Sequence, residues 1–259
     1  MMRRPRRVAV WACTTIAALS SAPAFAGPPY LTDDPEPTDL SKWEIYSYGL
    51  GTLFYRGGDW ESGLDINYGG AKNLQLSVVI ADDYSNQNNQ PAHVGMPNTE
   101  LGLKYRFLQQ SDGSWIPDVS LFPKIELPSA NKYFGSTKPG FSLPLWAQKD
   151  FGPWSLFGGG GWTFNPGPGN HNYSFGGVGL TRQVTDNLSL GVEAYYQTAS
   201  EVGVLAEGAI DTHAGLAFRL GASWKFAPKW SLIGSAGPLI GQHSSIGDSG
   251  FYVAVEFNN

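Results

Sequence analysis

From Trp43 onward the chain alternates apolar and polar side chains with period two, in runs of roughly ten residues separated by glycine-rich or polar breaks. Four runs are the cleanest. In 99–107, Thr99, Leu101, Leu103, Tyr105 and Phe107 alternate with Glu100, Gly102, Lys104 and Arg106. In 188–197, Leu188, Leu190, Val192, Ala194 and Tyr196 alternate with Ser189, Gly191, Glu193, Tyr195 and Gln197. In 216–226, Leu216, Phe218, Leu220, Ala222, Trp224 and Phe226 alternate with Ala217, Arg219, Gly221, Ser223 and Lys225. In 251–257, Phe251, Val253, Val255 and Phe257 alternate with Tyr252, Ala254 and Glu256. Each predicts a strand with one apolar face and one face carrying charge.

The breaks come in two sizes. Short turns are predicted at Gly69-Gly70-Ala71, Gln110 to Ser114, Phe151-Gly152-Pro153, Thr185-Asp186 and Ala227-Pro228-Lys229; longer loops fall at 84–97, 129–139, 165–171, 199–209 and 239–249. Such alternation is what a membrane barrel with short periplasmic turns and long outer loops produces. The strands it predicts are 43–55, 60–68, 72–83, 98–109, 115–127, 140–150, 154–164, 172–184, 187–198, 210–226, 229–238 and 249–258. The fold class is thus all-β, an antiparallel up-and-down transmembrane β-barrel of about twelve strands. An even count puts both ends of the barrel on the short-turn side.

The first 26 residues read differently. Arg3, Arg4, Arg6 and Arg7 precede an apolar stretch from Val8 to Leu19 and then Ala24-Phe25-Ala26, the pattern of a secretory signal peptide removed before Gly27. The expected division is therefore a signal peptide at 1–26, a proline-rich acidic segment at 27–41 and the barrel at 42–259. The four arginines and Cys13 leave with the signal, so 13 basic residues face 22 acids, a net charge of −9. A chain of that charge is no nucleic-acid binder, and one without cysteine has neither disulfides nor thiolate chemistry. Only 15% of residues are charged while aromatics reach 14%. Barrels with aromatic girdles have this composition, and no run is long enough for a membrane helix.

Charges on the inward phase are the candidate site: Glu100, Lys104, Arg106, Lys124, Glu126, Glu193 and Arg219, with Lys225 and Glu256 in the same set. If the 110–114 turn is centred on Asp112, Glu100 faces Lys124, Arg106 faces Asp118 and Lys104 faces Ser120. The ladder either braces the barrel or forms a charged constriction. Trp146 and Tyr195 share the inward phase and are candidates for stacking a ring-shaped solute, with lumen filling the plainer role. Inward glycines either permit twist or clear space for a solute. Tyr105, Phe107, Tyr196, Trp224 and Phe226 belong to lipid-facing girdles.

Catalytic and cofactor chemistry finds little support. His93, His171, His213 and His243 all map to the long-loop side with no spacing suited to a metal, and no glycine-rich loop opens a helix to hold a cofactor. His243-Ser244-Ser245-Ile246-Gly247 is similar to the H-x-S-x-G stretch of outer-membrane lipases, but Ile246 stands where Asn is usual. Of the acids that could orient the histidine, Glu256 lies far down the wall and Asp248 lies in a loop. An outer-membrane lipid hydrolase is the weakest reading.

The proposed mature start, Gly27-Pro28-Pro29-Tyr30-Leu31-Thr32-Asp33-Asp34-Pro35-Glu36-Pro37, followed by Trp43-Glu44-Ile45-Tyr46, resembles the opening of the transporter family named for the MetA pathway of phenol degradation. That resemblance implies an outer-membrane barrel filling residues 27–259 and moving small organic solutes, aromatics among them, with no catalytic residues to carry over. The expected function is passive passage through the bacterial outer membrane. The alternative is a non-conducting structural or interaction barrel that binds through its long loops. Expected partners are outer-membrane lipid, a small organic solute and the barrel-assembly machinery, which reads a terminal aromatic; here Phe257 is followed by Asn258-Asn259. The acidic segment is expected to be extended, either periplasmic or tucked in the lumen. Its Asp33, Asp34 and Glu36 are either a solvated leader or a cation-attracting mouth.

Overall fold

Period-two alternation can bury both kinds of face only if the sheet closes on itself, with its polar face inside and lipid as the solvent of the other. A computed structural model of the chain shows this arrangement; it describes residues 29–54, 57–87, 91–111, 113–131, 134, 136–205, 208–212, 215–241 and 248–259. The signal stretch at 1–26 lies outside the described residues, as do His213 and the 243–247 motif. The strands are β1 (Trp43–Phe54), β2 (Gly57–Ala71), β3 (Leu74–Gln87), β4 (His93–Gly95), β5 (Thr99–Leu108), β6 (Asp118–Leu121), β7 (Lys124–Leu127) and β8 (Gly140–Phe151). They continue as β9 (Trp154–Phe164), β10 (Tyr173–Thr185), β11 (Leu188–Gln197), β12 (Glu201–Leu205), β13 (Gly208–Thr212), β14 (Gly215–Ala227), β15 (Trp230–Gly241) and β16 (Ser249–Asn258).

Among the described residues the strands pair antiparallel throughout, and β1 closes the barrel on β16 from Glu44↔Asn258 to Leu53↔Ser249. Strand β4 is a short addition beside β3, and β6 and β7 are two halves of one crossing, both paired with β5 and β8. With β12 and β13 set aside as a separate two-stranded hairpin, twelve crossings remain. The start of β1 and the end of β16 meet at the short-turn mouth, where Asn259 N–H donates to the Trp43 carbonyl at 3.2 Å.

The outer surface carries the apolar phase. Leu101, Leu103, Leu190, Val192, Phe218, Val253 and Val255 are exposed, whereas Lys104, Asp118, Gln148, Glu193, Arg219 and Glu256 are buried. Aromatics mark two belts: Trp43–Tyr68, Trp224–Phe226 and Trp230–Phe257 near the short turns, Trp60–Tyr84 and Trp162–Phe164 near the long loops. Trp154 and Trp162, on one strand, lie about 27 Å apart along it, which at the ~40° tilt of barrel strands spans roughly 21 Å of the ~25 Å apolar band of outer-membrane barrels.

Several boundaries differ from the sequence expectation. The first turn is Lys72-Asn73, not Gly69-Gly70-Ala71: Ala71 pairs with Leu74, and Asn73 accepts the left-handed φ of 61° that the tight turn requires. Strand 115–127 starts at Asp118 and is interrupted at Phe122-Pro123, where Pro123 has no N–H to donate, though its carbonyl still accepts from Leu103 N–H at 3.0 Å. The predicted strand 210–226 is two objects. Residues 201–205 and 208–212 pair only with each other as a loop hairpin, and the wall resumes at Gly215. The Gly158-to-Gly161 run, which lacks side chains to pack, nonetheless forms strand from Trp154 to Phe164. A Cβ on Gly161 would lie 2.7 Å from the Pro144 Cα, so close strand approach uses the missing side chain.

Candidate functional site: the lumen and the segment that crosses it

Strand β5 places Glu100, Lys104 and Arg106 on the inward pleat, and the β7 register places Lys124 and Glu126 beside them. The expected ion pairs form, Lys124–Glu100 at 3.0 Å and Arg106–Asp118 at 3.4 Å. The register does not match the expectation. Glu100 lies opposite Glu126 and Arg106 opposite Ser120, because the turn is centred on Gly113, whose φ is 70°, rather than on Asp112. The slip is two residues, which keeps every side chain on its face and turns direct pairs into diagonal ones, still within reach of long side chains. Lys104 is not opposite Ser120; it approaches the ring of Phe122, 5.0 Å from its centroid, with Lys124 at 4.6 Å from the same ring.

Lys104 is satisfied from elsewhere in the chain. Residues 29–40 enter the lumen: Ser41, with φ 63°, reverses the chain at the short-turn mouth, and Leu40 bridges Gly69. Thr38 N–H donates to Gln75 Oε1 at 2.8 Å. Glu36 lies 3.8 Å from Arg106, Asp34 lies 3.7 Å from Lys104, and Lys104 Nζ donates to Asp33 at 3.0 Å. Farther on, the N–H groups of Leu31 and Thr32 donate to the two carboxylate oxygens of Glu193 at 3.1 and 2.5 Å. Ser235 donates to the Pro29 carbonyl. The segment is a strap from the β3–β5 wall to the β10–β15 wall.

On the far wall the strap lands on glycines. Gly191 and Gly221 are cross-strand partners, and a Cβ on either would meet the Tyr30 hydroxyl at 2.5 or 2.6 Å. Thr32 presses on Gly177 in the same way. These inward glycines clear room for the chain's own segment, a reading beyond twist or solute clearance. Tyr30 also packs on Phe157, which lies over Gly179.

Burial pushes the Asp34 carboxyl well above the usual carboxylate range, against the pull of Lys104. Burial raises Glu36 to about 7, with Arg106 opposing and Asp118 and Asp150 adding to the rise. Glu36 keeps 37% of its side chain open to lumen water, which softens that shift.

A cavity of about 980 Å³ begins at the short-turn mouth and is lined by Glu100, Lys104, Arg106, Lys124, Arg219, Tyr48 and the strap. Glu126 and Glu193 share the inward phase but do not line it, Glu193 being spent on the strap. Trp146 and Tyr195 flank Phe175, at 6.1 and 6.3 Å between ring centroids, and fill the far side of the lumen as a packed aromatic row. Arg219 faces Glu193 in register, yet its Nε has no hydrogen-bond partner among the described residues. Sequence reasoning listed the charges and missed the strap's anchors, because Asp33 and Lys104 are 71 residues apart and nothing local links them.

Glu256 sits inward near the short-turn mouth and Asp248 at the other end of the last strand. His93 lies in β4, and the His171 N–H donates to the Ser200 carbonyl at 2.8 Å. Among the described residues no group of three or more His, Cys, Asp or Glu is placed to hold a metal.

No family model matches the chain, and no curated protein matches it by sequence. Solved structures match its fold. An outer membrane channel from Pseudomonas putida F1 superposes with TM-score 0.69 at 11% identity, over 87% of this chain and 98% of that one. The KdgM porin, solved in complex with disordered oligogalacturonate, superposes with TM-score 0.55 at 13% identity, over 83% of this chain and 98% of that one. The chain therefore has the closed twelve-stranded architecture of outer-membrane barrels.

Proposed function

We propose that the protein is an outer-membrane channel for passive passage of small organic solutes, exported by a cleaved signal peptide and narrowed by its own N-terminal strap. The observation that carries this reading is the charged cavity that starts at the short-turn mouth and runs past Lys104 and Arg106 to Arg219. A purely structural barrel of this size would be expected to fill its interior with side chains, as the β8–β11 side does here. Glu100, Lys104, Arg106 and Lys124 form the constriction, Glu193 anchors the strap, and Trp146 with Tyr195 pack the opposite side. The solute classes suggested by the sequence resemblance, aromatics included, belong to this reading. Planar-bilayer recording on the refolded protein tests it. Steady unitary conductance, with a reversal potential that shifts when Lys104 and Arg106 are replaced by acids, is the expected result; a folded, heat-modifiable barrel without conductance overturns it.

A second reading, a non-conducting interaction barrel, draws on the strap itself, which is tied to both walls. It predicts that removing the strap leaves the bilayer silent.

A further inference from the structure

The strap's acids meet two cationic groups of the wall that differ in what else holds them. Arg106 has its own wall partner, Asp118, at 3.4 Å, nearer than the strap's Glu36 at 3.8 Å. Lys104, by contrast, is buried, and among the described residues its ammonium has only strap carboxylates within ion-pair distance: Asp33 at 3.0 Å and Asp34 at 3.7 Å. Across the same cavity Arg219 is 8% exposed, makes no ion pair among the described residues, and leaves its Nε without a partner. Glu193 lies opposite Arg219 in register but gives its carboxylate oxygens to the strap, so the guanidinium keeps an unfilled Nε donor that can meet an anion in the lumen. The strap itself is held by polar bonds that water can replace, and burial of Asp34 opposes its charged, docked form.

We propose that Lys104, Arg106 and Arg219 form a binding site for organic carboxylates, and that Asp33 and Asp34 occupy its Lys104 half as an internal pseudo-ligand which an incoming carboxylate displaces. This deepens the channel reading and rests on it for solute access. The ammonium and guanidinium groups supply charge-assisted donors that match a carboxylate. The lining tyrosines Tyr46, Tyr48 and Tyr252 give the body of the solute an amphipathic surface. No neutral molecule would compete with the strap for Lys104.

Calorimetric titration of the purified, refolded protein with phthalate, against the neutral phthalamide and against sulfate at equal ionic strength, tests the site. The expected result is saturable phthalate binding that tightens about tenfold in Asp33→Asn, which removes the carboxylate hydrogen-bonded to Lys104, and weakens about tenfold in Lys104→Gln. If Lys104→Gln does not fold, Arg219→Gln serves the same purpose from the opposite wall. Unchanged phthalate affinity in Asp33→Asn overturns the pseudo-ligand, and phthalamide or sulfate binding as tightly as phthalate overturns the carboxylate site. Binding needs no passage. A barrel that binds phthalate competitively without conducting refutes the channel and keeps the site, whereas one that conducts without competition refutes the site and keeps the channel.

Discussion

The two sides of the lumen are built from the same alternation and end up opposite in character. On β1–β5 the inward positions include Glu44, Tyr46, Tyr48, Asp65, Glu100, Lys104 and Arg106, which stand apart and leave a cavity between them. On β8–β11 they are glycine, small polar groups and aromatic rings, and they close: Phe157 is 1% exposed against Gly179, Phe175 stacks on Tyr195, and Trp146 packs on Phe175 at a tilt. The difference shows that strand periodicity sets which side chains face the lumen and says nothing about whether they fill it. The strap exploits both sides. Its acids meet the charged wall and its Tyr30 lies on the glycines of the other.

The largest expected effects come from removing one anchor on each wall. Lys104→Gln leaves two strap carboxylates beside a neutral group, and breaking a buried pair costs about 3–5 kcal/mol. A spin label on Leu31→Cys in a Cys13→Ser background reads the docked fraction, and Leu31 is exposed enough to carry it. The label is expected to become mobile in the Lys104→Gln chain. Phe157→Ala on the packed side costs a similar ~3–5 kcal/mol, but of barrel stability, read as a lower heat-modification midpoint. An immobile label in the first variant, or an unshifted midpoint in the second, breaks the contrast between a charged wall that holds the strap and a packed wall that holds the barrel.

Glu193→Gln is next. It replaces a charged acceptor of two backbone N–H groups by an amide with one acceptor oxygen, a loss of about 1.5–3 kcal/mol in strap docking. The label on Leu31 should gain a mobile component smaller than that of Lys104→Gln. Equal mobility in the two variants would mean that both walls hold the strap alike.

Acidity sharpens the same comparison. Burial raises Glu36 to about 7 in the docked strap, while the released strap has an ordinary carboxylate. Between those values the docked state binds the more protons, so docking is strongest below the ordinary pKa and weakens as pH rises towards 7 and above. Asp34 shifts in the same direction. The Leu31 label should therefore be more mobile at pH 8 than at pH 5, and the reverse order would contradict the sign. The smallest effect is expected at Trp115, 88% exposed in the short-turn mouth, where Ala should change stability by no more than ~0.5 kcal/mol in the same melting assay.

Reading the chain without a structure recovers the wall well and its contents poorly. Lipid-facing residues such as Leu101, Val192 and Val253 declare themselves through local alternation, and the crossing count follows from turn spacing. The register of β5 against β6 and β7 was off by two because turn centre, not alternation, sets it, and a two-residue slip preserves every face. Residues 210–212 of the loop hairpin read as the start of the following strand because the alternation runs on through them, whereas 199–209 read as a loop. The strap lay beyond reach for a different reason: pairing Asp33 with Lys104, or Tyr30 with Gly191 and Gly221, joins positions distant in sequence through the lumen. One hint is the glycine pair Gly191 and Gly221 on the inward phase beside Glu193 and Arg219, where Tyr30 reaches both.

The central claim is that a conducting lumen exists and that the chain's own strap narrows it. Single-channel recording of the refolded protein beside a variant lacking residues 29–40 tests this most directly. A measurable unitary conductance that rises several-fold when the strap is gone is the predicted result; identical conductance, or silence in both, would contradict it.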